Sequence, residues 1–165
     1  MSHDTGLFYR SRVSGMKLLI YSFAALFVVL GVALVAFSVA SRKQPELGLS
    51  DGQLQPCPAT ANGVCSEYQM GAAYIEPLSY TSSAEEAWNR LKRVISATGG
   101  VVVAEEADYL RAVYKTPLLR FVDDVEFRQD RDEQVIHVRS ASRVGQSDLG
   151  ANRKRVTKIR AEFTK

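Results

Sequence analysis

The chain has 165 residues, 46% of them hydrophobic and 24% charged, with a net charge of +3. That length accommodates one ordinary domain beside short terminal segments, since single cores are commonly built from about 100 to 150 residues. The small net charge argues against a strongly basic nucleic-acid binder. It conceals an asymmetry, because residues 44–133 carry 8 Lys/Arg against 15 Asp/Glu while residues 134–165 carry 8 against 2. An acidic part that neutralises a basic part within one fold accounts for this, so nucleic acid is not an expected partner.

Residues 18–40 read LLIYSFAALFVVLGVALVAFSVA, 23 residues without a charge. At about 1.5 Å rise per residue such a helix crosses a hydrocarbon core ~30 Å thick. A cleaved signal peptide is the rival reading, with Ser38 and Ala40 as a small-x-small site, although its apolar region usually runs to only about 7 to 15 residues. A buried core helix is less suitable, since no polar face is left for water. Arg10, Arg12 and Lys17 precede the span and Arg42 and Lys43 follow it, which favours a cytoplasmic N-terminus by a small margin.

The only two cysteines, Cys57 and Cys65, bracket the stretch CPATANGVC, with no further Cys and no nearby His to complete a zinc set. A local disulfide is the economical reading, and it requires an oxidising compartment; two free thiols in a cytosolic loop are the alternative. The expected layout is therefore a cytoplasmic tail (1–17), a transmembrane helix (18–40), a linker (41–53) and an extracytoplasmic domain (54–165). That layout predicts a single-pass protein of the inner (plasma) membrane with its C-terminal domain in the periplasm or extracytoplasmic space.

Residues 41–82 hold four prolines and no sustained periodicity, and read as a linker followed by an irregular wrap. At Ser83, with Glu86 three residues on, a capping box opens a helix over 84–97 in which Ala84, Trp88, Leu91 and Ile95 recur at helical spacing before Gly99-Gly100 stops it. Four strand-like segments follow, near 101–105, 109–116, 119–129 and 134–142, joined by connections too short for parallel crossovers. Asp148 then caps a last helix with Leu149, Val156, Ile159 and Phe163 as its apolar stripe and Lys154, Lys158 and Lys165 toward water. The predicted fold is α+β: after the transmembrane helix, a two-layer α-β-β-β-β-α domain with a four-stranded antiparallel sheet, both helices on one face and the other face polar.

Alternation puts Phe121, Asp123, Val125 and Phe127 on one face of the third strand, opposite Arg120, Val122, Asp124 and Glu126. In the fourth strand Ile136, Val138, Ser140 and Ser142 lie opposite Val135, His137, Arg139, Ala141 and Arg143. A hairpin pairing Gln129 with Gln134 around the loop DRDE makes the apolar sets coincide, and sets Asp124 beside Arg139 and Glu126 beside His137. A Ser/His/Asp triad from Ser140 or Ser142 with His137 then fails, because serines and imidazole point to opposite faces. Asp123 and Ser140 point toward the helices, where the carboxylate needs a partner such as Arg153, Asn152 or loop N–H groups. Arg111, Lys115, Arg120, Asp124, Glu126, His137, Arg139 and Arg143 make the open face mainly cationic.

The stretches LLRFVDDVEF and IHVRSASRVGQSDLGANRKRV, with the earlier Cys57-Pro58 and an Asn close behind, resemble a bacterial and plastid family known as domain of unknown function 1499, over roughly residues 54–163. The family pattern has Asn directly before the second Cys, whereas here Gly63 and Val64 separate Asn62 from Cys65. The resemblance implies a domain beyond a membrane or in a lumen, with no established activity.

The candidate ligand site is an anion grip built from Arg139, Ser142, Arg143, Asn152 and Arg153, with Asp124 and His137 on the adjoining sheet face and the N–H groups at the last helix's start. Asp148 competes for that helix start, and Asp123, Ser140 and Asp148 are assigned structural roles. A purely structural reading of the arginines, as partners of Asp123 and Asp124, stands beside the ligand reading. The expected function is that of a membrane-anchored accessory or binding module whose basic surface takes an anionic ligand, a lipid head group or a partner protein. The alternative is a small hydrolase or lyase using His137 with Glu126 or Asp124 as acid and base. No cofactor and no metal set is expected, one imidazole without a ligand pattern being insufficient.

Overall fold

The computed structural model describes residues 5–68 and 71–165, so residues 1–4 of the expected cytoplasmic tail lie outside it. The chain divides into two compact units, Met1–Ala36 and Phe37–Lys165. The first is formed by helix α1 (Thr5–Ala40), whose last turn belongs to the second unit. Within α1 the 26 residues Gly15–Ala40, which include an 18-residue stretch with a mean hydropathy of 2.7, are long and apolar enough to cross a membrane.

The second unit is α+β. Four short strands, β1 (Leu49–Ser50), β2 (Gln53–Leu54), β3 (Gly63–Cys65) and β4 (Leu78–Ser79), precede helix α2 (Ala84–Ala97). Then come β5 (Val101–Glu105), β6 (Tyr109–Lys115), β7 (Val122–Asp130), β8 (Val135–Ser142) and helix α3 (Ala151–Phe163). Helix α2 starts as its capping residues dictate, with Ser83 Oγ accepting from the Glu86 N–H at 3.2 Å. It ends in a Schellman motif: Gly99 N–H donates to Ser96 O, Gly100 N–H to Ile95 O, and Gly99 takes φ +94°.

The sheet has six strands rather than the expected four, so the order is longer than α-β-β-β-β-α. The meander β8-β7-β6-β5 is extended because β3 and β4 both pair antiparallel with β8 along its outer edge. Alternation cannot announce strands of two and three residues; they form because the edge of β8 would otherwise leave N–H and C=O groups unpaired. The disulfide between Cys57 and Cys65 is present, with a Cα separation of 5.8 Å, and Gly63 and Val64, which separate Asn62 from Cys65, are part of β3.

Helices α2 and α3 pack on one face. Trp88, Leu91 and Ile95 of α2 and Val156, Ile159 and Phe163 of α3 meet Leu110, Ala112, Val125, Phe127, Ile136 and Val138 of the sheet in one core. Leu149 is not in the stripe: it lies ahead of the helix with φ +52° and is 89% exposed, and the buried position one turn before Val156 is taken by Asn152. Lys154, Lys158 and Lys165 are exposed as expected.

The β7–β8 register differs from the expected one by two residues. Asp130 pairs with Val135, Phe127 with Val138, Val125 with Ser140 and Glu126 with Arg139, while Asp124 faces Ala141 and His137 faces Arg128. The Asp130 side chain accepts N–H bonds from Asp132 and Glu133, which makes Asp130 the first residue of the turn. A shift of two leaves every side chain on its predicted face, so hydrophobic alternation is blind to it. Phe121 precedes β7 and is half-buried in the loop before it.

The polar face is not open to solvent. Arg111, Asp124, Glu126 and Arg139 are all buried beneath the chain that leads into β3, with Leu54 of the β1–β2 ribbon also buried there. Gly100 imposes a further constraint on the helix side, since a Cβ there lies 2.5 Å from the Tyr114 ring, whose hydroxyl is held by Thr98 at 2.9 Å. Gly100→Ala is expected to lower stability by about 1–3 kcal/mol through overpacking, measured by urea unfolding, with Tyr114→Phe restoring little of it because the ring itself is the obstacle.

Candidate functional site

The buried polar face is organised around Asp124. Its Oδ1 accepts from Arg111 Nε at 2.9 Å and Nη2 at 2.7 Å, and from Arg143 Nη2 at 2.9 Å; its Oδ2 accepts from Arg143 Nε at 2.6 Å. Two guanidiniums on one carboxylate leave a buried positive charge, which backbone oxygens stabilise. Arg143 Nη1 donates to Ser41, Arg42 and Lys43 carbonyls at 3.3 Å each, and Arg111 Nη1 to Pro45 O at 3.5 Å. Beside them Glu126 accepts from Arg139 Nη1 and from the Tyr109 hydroxyl, each at 2.8 Å, and Arg139 Nε reaches Pro56 O at 3.2 Å. Burial, and then the Glu126 charge, push the Tyr109 phenol well above its ordinary pKa.

The inward-facing polar set forms a second network. Asp123 is paired by Arg155, not by the expected Arg153. Arg155 also donates to Ser140 Oγ at 3.2 Å and to Asn152 Oδ1, and stacks over the Tyr114 ring at 5.0 Å. Ser140 Oγ donates to Asn152 Oδ1 at 2.6 Å, and Asn152 Nδ2 donates to Ser142 Oγ at 3.1 Å and to Asn62 O at 2.9 Å. Arg153 is exposed and binds the carbonyls of Ala72 and Tyr74 at 2.5 and 2.8 Å. Asp148 fills the start of α3, accepting from Gly150 N–H at 2.9 Å and Asn152 N–H at 2.7 Å. Burial raises its pKa, but the hydrogen bonds it accepts, led by those from the Asn152 and Gly150 N–H groups, together hold it below the ordinary value.

The residues of the expected anion grip are thus divided between the two faces, and their donors are engaged within the fold: Arg139 by Glu126, Arg143 by Asp124, Arg153 by backbone oxygens. His137 lies apart from them. Glu126 and Asp124, its expected acid–base partners, are committed to Arg139 and to the Arg111–Arg143 pair.

His137 instead lines an open cleft of about 420 Å³ with Ser66, Glu67, Tyr74, Arg128, Asp130 and Glu133. Its Nδ1 is 3.3 Å from Ser66 Oγ. That hydroxyl is no free nucleophile: it accepts from the Val138 N–H at 2.8 Å, and Ser66 is only 6% exposed. Arg128 is held between Glu67, at 2.5 Å, and Asp130, at 3.3 Å. Ligand-type atoms of Asp130, Glu133 and His137 lie within 4.8 Å of one another, a spacing compatible with one cation. Burial lowers the His137 pKa, Glu67 opposes the shift and Arg128 adds to it, so the imidazole is neutral at neutral pH and keeps a lone pair to offer.

Sequence reasoning missed Arg155, Ser66, Glu67, Arg128, Asp130 and Glu133. Arg155 was within reach, standing three residues after Asn152 on a helix and so on the same edge. Ser66 and Glu67 carried no signal, since only the pairing of β3 with β8 brings them to His137. A family model described as "Protein of unknown function (DUF1499)" matches residues 53–163. No curated protein matches the chain.

Asp124→Asn is expected to destabilise the folded unit by about 3–5 kcal/mol, because it leaves two buried guanidiniums without their counter-ion; chemical unfolding measures this. The lowered His137 pKa makes the neutral form the better-folded one. Stability is expected to be full above the unfolded value of 6.5 and to fall as pH drops from there toward the lower folded value, and His137→Gln should flatten that slope in unfolding curves taken between pH 7 and 5.

Proposed function

The chain belongs to the family described as protein of unknown function (DUF1499), and we propose that it is a single-pass membrane-anchored binding module with an extracytoplasmic domain and a ligand cleft around His137. The anchor reading is supported by the length and hydropathy of Gly15–Ala40. The compartment is supported by the Cys57–Cys65 disulfide in the unit that follows.

The convergence of Asp130, Glu133 and His137 at the mouth of the cleft carries the ligand assignment. Two carboxylates and a neutral imidazole suit a small cation, either a divalent metal ion or an amine. The arginine-rich strand, loop and helix support the site from behind, by fixing β7 and β8 in register. Arg128 sets the charge balance: it occupies Glu67 and Oδ2 of Asp130, so Glu133 and His137 supply the free ligand atoms and Asp130 joins them through an oxygen that it shares with Arg128 or with the N–H groups of the turn.

Two measurements test this. A thermal-shift titration of the full chain in detergent with zinc, manganese and a diamine is expected to raise the midpoint with at least one of them, and Glu133→Gln and His137→Ala to abolish the rise; an equal rise in both variants would move the site elsewhere. A C-terminal alkaline phosphatase fusion is expected to be active in cells, and Cys57 and Cys65 to be alkylated only after reduction. Activity confined to a cytoplasmic reporter would reverse the orientation.

A further inference from the structure

We propose that the β6–β7 loop, Thr116–Phe121, and the cations around it form a lipid head-group contact, through which the folded unit holds the phosphate of anionic lipids in the bilayer that its own helix enters. This rests on the membrane-anchor reading given above.

The placement follows from two hydrogen bonds inside the second unit. Ser38 Oγ donates to Leu119 O, and the Val122 N–H donates to Ser41 Oγ at 3.1 Å. Ser38 lies two residues before the end of the apolar helix, so the loop is pinned to the turn where a spanning helix leaves the hydrocarbon. The loop is held in shape by its own bonds, Thr116 N–H to Phe121 O at 3.0 Å and Phe121 N–H to Thr116 Oγ1 at 3.0 Å. At its tip Leu118 is 89% exposed, an apolar side chain with no protein around it.

Charge completes the case. Arg42, Lys115 and Arg120 line one open cleft of about 260 Å³ with Val122, and among the described residues no carboxylate pairs with any of the three. The arginines of the two buried networks, Arg111, Arg139, Arg143 and Arg155, each have a carboxylate. Arg120 also sits at φ +55°, a left-handed conformation uncommon for a long side chain, which it keeps while its amide bonds Thr116 O at 3.1 Å. Three unneutralised cations beside an exposed leucine, at the exit of an apolar helix, match the chemistry of an anionic bilayer surface: phosphate for the cations and the acyl boundary for Leu118.

The test is hydrogen–deuterium exchange of the full chain in nanodiscs of phosphatidylcholine alone or with about 30% phosphatidylglycerol. Amides of 115–122 are expected to exchange roughly tenfold more slowly in the anionic discs. The protection should be lost in 0.5 M salt and in Lys115→Glu/Arg120→Glu, while Arg131→Glu, an exposed site on another loop, leaves it intact. Equal exchange in the two kinds of disc, with the protein still embedded, overturns the head-group contact and leaves the anchor standing. Failure of the chain to enter discs overturns both. Protection produced in neutral discs by inorganic phosphate alone overturns the bilayer as its source.

Discussion

The carboxylate of Asp124 is the constraint on which the rest of the folded unit depends. At 2% exposure it binds guanidiniums from β6 and from the residue just past β8, so one buried side chain ties the strands on both sides of β7 to each other. The surplus positive charge is then satisfied by carbonyls of Ser41, Arg42, Lys43 and Pro45, which explains why an irregular segment lies flat across a sheet face made of charged groups. Desolvating that many ions is unfavourable unless every one is paired, and the described residues contain no buried side-chain nitrogen or oxygen without a partner. Such a network selects one register over its neighbours more effectively than apolar packing does, because a slip of two residues keeps the apolar faces aligned but strands the charges.

That distinction separates what the sequence made legible from what it did not. Helix α2, the order of β5 to β8, the faces of residues 122–127 on β7 and of β8 and the Cys57–Cys65 disulfide follow from local chemistry: a cap, a two-residue period, a pair of cysteines in a short loop. The β7–β8 register was not legible, because Asp130 decides it through the turn that its side chain closes, and Phe127 opposite Ile136 is as acceptable to hydrophobicity as Phe127 opposite Val138. The burial of the polar face was not legible either. Alternating Arg, Asp and Glu on one side of a strand describes a solvated surface and a neutralised interior equally well, and only the covering chain tells them apart.

The motif from Arg139 to Val156 shows the same ambiguity at the level of function. Clustered arginines, serines and a helix start have the composition of an anion site, yet Arg139, Arg143, Asn152 and Arg155 each close a bond within the fold. Arg155 pairs with Asp123 and reaches Ser140 and Asn152, so α3, β7 and β8 are fixed together on the helix side while Arg143 and Arg139 fix the other side. A polar motif of this length is used here as a two-sided fastener for one hairpin.

The chemistry left over lies where these networks stop. At one end of β8, Arg128 donates to Glu67 and Asp130, and beside them Glu133 and His137 line an open cleft. Beyond the opposite end of the sheet, Arg143 neutralises Asp124, and the next cations outward, Arg42, Lys115 and Arg120, have no counter-ion among the described residues. Interior charges are matched by counter-ions or backbone oxygens, so the outer cations find no buried carboxylate left to pair with, and unmatched charge is confined to groups beyond the buried networks.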